Sequence, residues 1–448
     1  MRKKSFLIFI GCLLLISARA QRHLWTFQQC LDTALQRNIS LNESRENNEQ
    51  NLINLKESKA NLFPSLNGTG RDGVGFGRSL NPTTNQYVAK TTNSTSFGLS
   101  TSVTLFSGFQ LVKTIVQNKM LLDAGNTDID NIKNQVILNL TTAYLQVLLD
   151  YEMLDASKSQ ADATAVQVDQ TRKEVKVGTL PESNLYTILS QQATDNLAVV
   201  NAQSTLDLAK VTLEQIMELP VVDSFDLKVP DFLEPDLMMK QTTQEIYSKA
   251  LKVQPQIAGA SLRTNSALLG IKINEGAMYP TLSLTGSSNT NYAVSSRTGV
   301  AASVPQASPF FPQLWHDLGG SIGLSLSIPI YTNRTIKSNI EHARVSLLLA
   351  QLNEQDLKFQ LRTTIEQAYT DLKNSIKKYE ATKDQIAAAE LAYKNMEKKY
   401  KVGMATAIDF LIEKNAFYQA QSNGIQSKYD YIFKSKILDF YQGVPITF

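Results

Sequence analysis

The sequence predicts an α+β membrane protein built from a duplicated helix–strand–strand–helix unit, each copy closing in a long helical hairpin. Three observations carry this reading: an internal repeat, short stretches of period-two alternation, and apolar seams at helical spacing that run for almost seventy residues. Ala34-Leu35 recurs as Ala250-Leu251, and Phe63-Pro64-Ser65-Leu66 as Tyr279-Pro280-Thr281-Leu282, both at an offset of 216 residues. Gly98-Leu99-Ser100 recurs as Gly323-Leu324-Ser325, Ala143-Tyr144 as Ala368-Tyr369, and Lys176-Val177-Gly178 as Lys401-Val402-Gly403, at an offset of 225. One nine-residue insertion between the strands reconciles the offsets, so two copies of one unit are present.

At the N-terminus, Arg2, Lys3 and Lys4 precede an apolar run from Phe6 to Ile16 and then Ala18-Arg19-Ala20. This pattern predicts a signal peptide over 1–20 and a mature chain from Gln21. A lipoprotein site at Cys12 is disfavoured because the apolar run continues past it. Loss of Arg2, Lys3, Lys4 and Arg19 takes the formal charge from +3 to −1 for residues 21–448, so the basic balance carries no nucleic-acid message. Cys30 is then the only cysteine. Its repeat mate is Ile246, which predicts a buried small hydrophobe and not a reactive thiol. Beyond the signal, no segment offers the ~18 consecutive apolar residues of a membrane helix. The first repeat is placed at 21–219, a linker at 220–242, the second repeat at 243–443 and a C-terminal tail, expected to be loose, at 444–448.

Each copy opens on a capping box, Thr26 with Gln29 and Thr242 with Glu245. A helix of about 37 residues is expected after each, stopped near Pro64 or Pro280. The pattern then changes period. Phe97, Leu99, Thr101, Val103 and Leu105 alternate with small polar residues, as do Ile322, Leu324, Leu326, Ile328 and Ile330, and neither run carries a charge. Such alternation suits strands with lipid on one side and water on the other, although a soluble sandwich produces it too. Looser partner strands are expected at about 66–78 and 282–292, with loops at about 79–93 and 293–318.

From 109 to 176 and from 334 to 401 a 3.5-type seam takes over. Val136, Leu140, Ala143 and Val147 recur as Leu361, Ile365, Ala368 and Leu372. A helix of this length extends on the order of 100 Å. Gly178 and Gly403 suit left-handed stops, and returning helices are expected at about 181–219 and 406–443. Four strands are too few for a bacterial barrel, which needs at least about eight, and lipid tolerates no open sheet edge. A membrane role therefore requires several chains to pool their strands, and the long helices would pool into a tube beside them.

At this point the residues resemble the TolC-type outer-membrane efflux protein family over essentially all of 21–448. The resemblance rests on the duplicated unit, the Phe63-Pro64 and Tyr279-Pro280 junctions and both Lys-Val-Gly hairpin tips. It rests also on Leu213-Glu214-Gln215-Ile216-Met217-Glu218-Leu219-Pro220 and the closing run from Tyr429 to Gly443. It implies a homotrimer with a 12-stranded outer-membrane β-barrel continued by a long periplasmic α-helical barrel. The function it implies is a passive exit duct for small molecules in a tripartite efflux system. The implied partners are a periplasmic adaptor (membrane fusion) protein, an inner-membrane pump such as an RND or ABC transporter, and outer-membrane lipid. It further implies adaptor contact at the tips, Lys176, Val177, Gly178 and Thr179 in one repeat and Lys401, Val402, Gly403 and Met404 in the other. The family's acidic constriction falls on Asp409, six residues past Gly403. Its second acidic position falls on Ile412, with Glu413 beside it, so the double ring is not matched, and the first-repeat equivalent of Asp409 is Asn184. Carboxylates ringing a narrow pore repel anions and concentrate cations. Asp409 is equally an ordinary solvated residue near a helix N-terminus, favoured by the dipole.

No enzyme signal survives. Gly319-Gly320-Ser321-Ile322-Gly323 has nucleophile-elbow spacing, but its serine lies inside an alternating strand with no helix following. His23, His316 and His342 have no ligand-spaced partners, and no metal or cofactor is expected. Gly73, Gly75 and Gly77 lack the spacing of a nucleotide-binding loop. Two alternatives stay open: the exit duct of a type I protein secretion system, and a non-conducting trimeric coiled-coil surface protein. The second of these would have no use for a duplicated hairpin.

Overall fold

The computed structural model describes residues 24–80, 85–220, 225–230, 241–297 and 309–448. The expected signal peptide, His23 and most of the 220–242 linker lie outside them. The chain divides into two compact units, one formed by Met1–Glu46, Thr127–Ala258 and Asp356–Phe448, the other by Asn47–Asn126 and Gly259–Gln355.

The second unit holds the sheet. β2 (Ser65–Leu80), β3 (Tyr87–Ser107), β5 (Thr281–Arg297) and β6 (Gly319–Ser327) are antiparallel in the order β2-β3-β5-β6. Cross-strand pairs place Gly70, Phe97 and Thr290 on one face with Gly68, Leu99 and Ser288, and lower down Leu284 with Val103 and Leu324. The opposite face carries Asn67, Ser100 and Ser287 in register, then Thr69, Gly98, Asn289 and Gly319. One face therefore carries the large apolar side chains, set among Gly, Ser and Thr, and the other is small and polar, as the alternation predicts. Asp72 is the acid on the apolar face, and the Thr95 hydroxyl donates to its carboxylate at 2.6 Å. A bulge between Thr104 and Phe106 in β3 shifts the register near the strand's end.

Several expected boundaries are corrected. β2 and β5 are longer than 66–78 and 282–292, because their Ser, Thr and Asn residues continue the ladder with β3 to Leu80 and Arg297. β6 stops at Ser327, before Ile328 and Ile330. The expected loop at 293–318 contains a short helix, α7 (Phe310–His316), so His316 closes a helix. Both strand-to-helix junctions use consecutive left-handed residues, Gly108-Phe109 and their repeat mates Asn333-Arg334. At Gly108 any Cβ would lie 2.2 Å from the Gly276 carbonyl oxygen, so only glycine fits this approach.

The first unit is helical. α3 (Gln110–Lys176) and α8 (Thr335–Lys401) each hold 67 residues and contribute their residues from 127 and 356 onward. The returning helices are α4 (Glu182–Ile216) and α9 (Ala407–Tyr441). The predicted seam is the core: Val136, Leu140, Ala143 and Val147 are buried on α3, and Leu361, Ile365 and Leu372 on α8. Cys30 is fully buried in the same core, and burial pushes its thiol up to about 12.

Both opening capping boxes form, with Thr26 N–H donating to Gln29 at 3.0 Å and Thr242 N–H to Glu245 at 2.9 Å. The single opening helices do not. Each is broken in two, α1 (Phe27–Arg37) from α2 (Ile39–Ala60), and α5 (Thr243–Val253) from α6 (Pro255–Gly276). Pro255 forces Gln254 into extended geometry (ψ 119°). Its mate Asn38 adopts ψ 123°, and the Asn38 side chain accepts from Leu41 N–H at 3.1 Å, starting the next helix. A two-residue parallel pair, β1 (Leu24–Trp25) with β4 (Asp226–Leu227), anchors the described part of the linker. The tail is not loose. Ile446 is buried, and the Phe448 ring meets Phe27 at 4.8 Å and Tyr144 at 5.7 Å.

Candidate channel constriction and hairpin tips

Each long hairpin of the first unit turns on a left-handed glycine, Gly178 at φ +77° and Gly403 at φ +75°. The turns are the same motif. Thr179 N–H donates back to Glu174 and Gly178 N–H to Val175, while Met404 N–H donates to Lys399 and Gly403 N–H to Tyr400. The carbonyls left over at each helix end are thus satisfied within the turn, and nothing in the turn needs to bury Val177, Val402 or Met404. All three are exposed, Met404 at 76%. Lys176 and Lys401 sit in the last turns, where a cation suits the helix dipole, and Lys401 pairs with Glu397 at 2.7 Å.

The two returning helices start differently. Thr406 and Asp409 form a third capping box: Asp409 N–H donates to the Thr406 hydroxyl at 3.2 Å, and that hydroxyl donates to the Asp409 carboxylate at 2.7 Å. The signature Thr-x-x-Asp is legible in the sequence but was not among the caps predicted. Those hydrogen bonds, the hydroxyl's first, hold the Asp409 carboxyl below its usual range. Asp409 is exposed, Glu413 half-buried one turn on, and Ile412 exposed beside it. The first repeat has Pro181 at the cap with no side-chain bond, and Asn184 is half-buried there. Thus Asp409 is both a cap and a solvent-facing charge.

Sequence reasoning missed a second polar cluster on these helices. Lys414 (1% exposed) lies 3.7 Å from Asp195 (2%), with Thr164 hydrogen-bonded to both. Gln160 and Gln191 amides also donate to Asp195, at 2.9 and 2.8 Å. Burial pushes the Lys414 ammonium below the ordinary lysine value, and Asp195 opposes that shift. The pair ties α9 of the second repeat to α3 and α4 of the first. The repeat itself contained the signal: the mates of Lys414, Asp195 and Thr164 are Leu189, Ala420 and Ala389, so charges appear where the duplication calls for apolar seam residues.

Ser321 lies within β6, its hydroxyl 2.9 Å from that of Ser287, and no helix follows it in elbow geometry. Among the described residues no group of three or more His, Cys, Asp or Glu is placed to hold a metal ion, and no helix is long and apolar enough to cross a membrane.

The chain as a whole matches known proteins over most of its length. The profile of the family described as "Outer membrane efflux protein" matches residues 30–217 and 246–443. The chain is 23% identical over 420 residues to the outer membrane efflux protein BepC of Brucella suis, covering 92% of this chain and 84% of that protein. It is 25% identical over 406 residues to the outer membrane protein TolC of Escherichia coli, covering 88% and 77%. Among solved structures, its fold is similar to CusC (TM-score 0.74, 16% identity, 94% of this chain and 92% of that chain). It is similar also to the CmeC outer membrane channel of Campylobacter jejuni (TM-score 0.73, 17%, 93% and 85%). With both repeats matched in order, the chain belongs to the outer membrane efflux protein family.

Proposed function

We propose that three copies of this chain form an outer-membrane exit duct, each giving four strands to a 12-stranded barrel and its long hairpins, from repeats 21–219 and 243–443, to a periplasmic helical tube. The observation that carries this is the sheet. Among the described residues its outer strands β2 and β6 have no further partner in the sheet, and the face bearing the large apolar side chains exposes Ile322, Leu324 and Leu326 to 86%, 67% and 61%. A face so apolar belongs in lipid, and lipid requires the edges to be paired. Pairing β2 of one copy with β6 of the next closes the ring without changing any strand. Exposed aromatics at the helix–strand junctions, Phe63, Phe109, Tyr279 and Tyr331, suit a girdle at the inner membrane–water boundary.

In this reading Asp409, with Glu413 and Asn184 near it, lines the periplasmic constriction. The tips at Lys176–Thr179 and Lys401–Met404 meet a periplasmic adaptor that couples the duct to an inner-membrane pump. Solvent-facing hydrophobes at a turn that needs none for its own stability are natural contacts for such a partner. The cargo reading is small-molecule efflux.

Mass measurement in detergent and current through planar bilayers test the proposal, wild type against Asp409→Ala. A trimer passing a cation-preferring current, weakened in preference by the substitution, is expected. A conducting trimer indifferent to the substitution would remove Asp409 from the constriction and keep the duct. A folded monomer would remove the duct.

A further inference from the structure

The short helix α7 precedes β6, and its contacts are with the apolar side of the sheet and not the polar one. Thr290 and Tyr292 belong to the set of β5 residues that face the apolar side, since Thr290 pairs with Phe97 and Tyr292 with Thr95. Both hold α7: the Thr290 hydroxyl donates to the Leu314 carbonyl, and the Tyr292 ring meets Phe310 at 4.8 Å in a T-shaped contact. Phe310 and Leu314 are half-buried, so they are the side of the helix turned toward the sheet. Phe311 and Trp315, one turn apart, are left 78% and 81% exposed.

Their height along the strand is fixed by the chain. Thr290 and Tyr292 lie eight and ten residues past Leu282, where the apolar face of β5 begins. At ~3.4 Å per residue this is about 27–34 Å of strand, and a tilt near 40° reduces it to about 21–26 Å of height. The apolar band of an outer-membrane barrel is about 25 Å tall. Tyr292 therefore stands at the band's far rim. In the first repeat the mate of Tyr292 is Phe76, ten residues past Leu66 as Tyr292 is ten past Leu282. It is on the same face and 81% exposed, with Arg78 two residues beyond it, and in sheet register it lies opposite Thr91 and, through β3, Ser296.

We propose that α7 lies against the outside of the barrel at the outer-leaflet boundary between hydrocarbon and headgroups, with Phe311 and Trp315 as its anchors in that lipid surface. The partner is a lipid leaflet, because the helix continues an apolar face and ends where that face should meet headgroups. Tryptophan suits the place, its ring apolar and its N–H able to reach water. Polar residues of the same helix, Gln313 and His316, and the adjoining Asp317 keep it from sinking deeper. This inference rests on the sheet being in the membrane.

The chain has two tryptophans, so the difference between wild type and Trp315→Phe isolates the emission of Trp315 without disturbing Trp25. In proteoliposomes the difference signal is expected to be blue-shifted relative to free tryptophan. Bromines placed on acyl carbons near the headgroup should quench it more than bromines at mid-chain or aqueous iodide. A control reporter, Leu324→Trp on the Trp315→Phe background, should be quenched most by mid-chain bromines. If Leu324→Trp is quenched by lipid while Trp315 responds only to iodide, the anchor is overturned and the barrel stands. If neither responds to brominated lipid, the membrane reading of the sheet fails and the anchor fails with it.

Discussion

The buried Lys414–Asp195 pair gives the sharpest test of how the first unit is held together. At 3.7 Å and an effective dielectric of about 20, the attraction is about 4.5 kcal/mol. Against it stands a desolvation penalty of several kcal/mol for each ion. The intact pair therefore comes near to break-even, but either charge alone has no compensation. Lys414→Met is expected to cost about 3–5 kcal/mol of local stability, toward the lower figure because Thr164, Gln160 and Gln191 still hold the carboxylate. Copying the repeat mates, Lys414→Leu with Asp195→Ala, removes both charges and is expected to fall within about 1 kcal/mol of wild type. Amide hydrogen exchange over 188–198 and 407–418 reads the local opening free energy. The single substitution should speed exchange there by about two to four orders of magnitude, and the double by about one at most. A single variant exchanging like wild type, or a double variant as labile as the single, would refute the argument that burial without a partner is what costs.

Three further outcomes are expected. Glu218 ends α4 at φ 53°, where its repeat mate Gly443 ends α9 at φ 82°, so Glu218→Gly should stabilise the first unit by about 0.5–1 kcal/mol in denaturant unfolding, the relief of left-handed strain less the added chain entropy. Gly108→Ala places a Cβ 2.2 Å from the Gly276 carbonyl oxygen at φ +60°, and should cost about 2 kcal/mol or more, read as a fall in thermal midpoint, whereas Glu218→Gly raises it. Because the folded carboxyl of Asp409 titrates below its ordinary value, its cap is fully present above about pH 4 and is lost as pH falls through the depressed value. Exchange protection of the Thr406, Asp409 and Phe410 amides, the ones bonded in this cap, should therefore drop in acid in wild type, and Asp409→Asn should show no such step.

What the sequence made legible follows from the strength of each local signal. The 67-residue helices were visible because a long seam repeats its evidence many times, and the capping boxes because two residue types at fixed spacing make the bond. The break at Asn38 was not, because asparagine is an ordinary helix-surface residue until its side chain takes the Leu41 amide. Only the mate, with Pro255, announces it. β2 and β5 were underestimated at their outer ends since Ser, Thr, Asn and Gly read as loop in isolation, and become strand only when β3 supplies the ladder. Phe448 was assigned to a loose tail by position, yet one aromatic ring that finds Phe27 and Tyr144 outweighs the freedom of five terminal residues.

The candidate site was partly legible because it lies where the two copies differ. Backbone requirements survive the duplication even when the residue changes: Gly108 and Asn333 share a left-handed φ, as do Glu218 and Gly443. Several charges do not survive it, although Lys176 and Lys401 at the tips do. Lys414 faces Leu189 across the alignment of the copies, Asp195 faces Ala420, Glu413 faces Ile188 and Asp409 faces Asn184. Two identical hairpins could pack interchangeably, since an apolar seam accepts any apolar neighbour. A buried lysine accepts only the helix that brings it a carboxylate, so Lys414 selects α3 and α4 as the partners of α9, the use to which a polar seam residue is best suited. Divergence thus gives the hairpins separate identities, and in the proposed trimer it makes the tube threefold instead of sixfold. A constriction drawn from the α9 hairpins alone would carry three Asp409 carboxylates, with asparagine at the other three equivalent places.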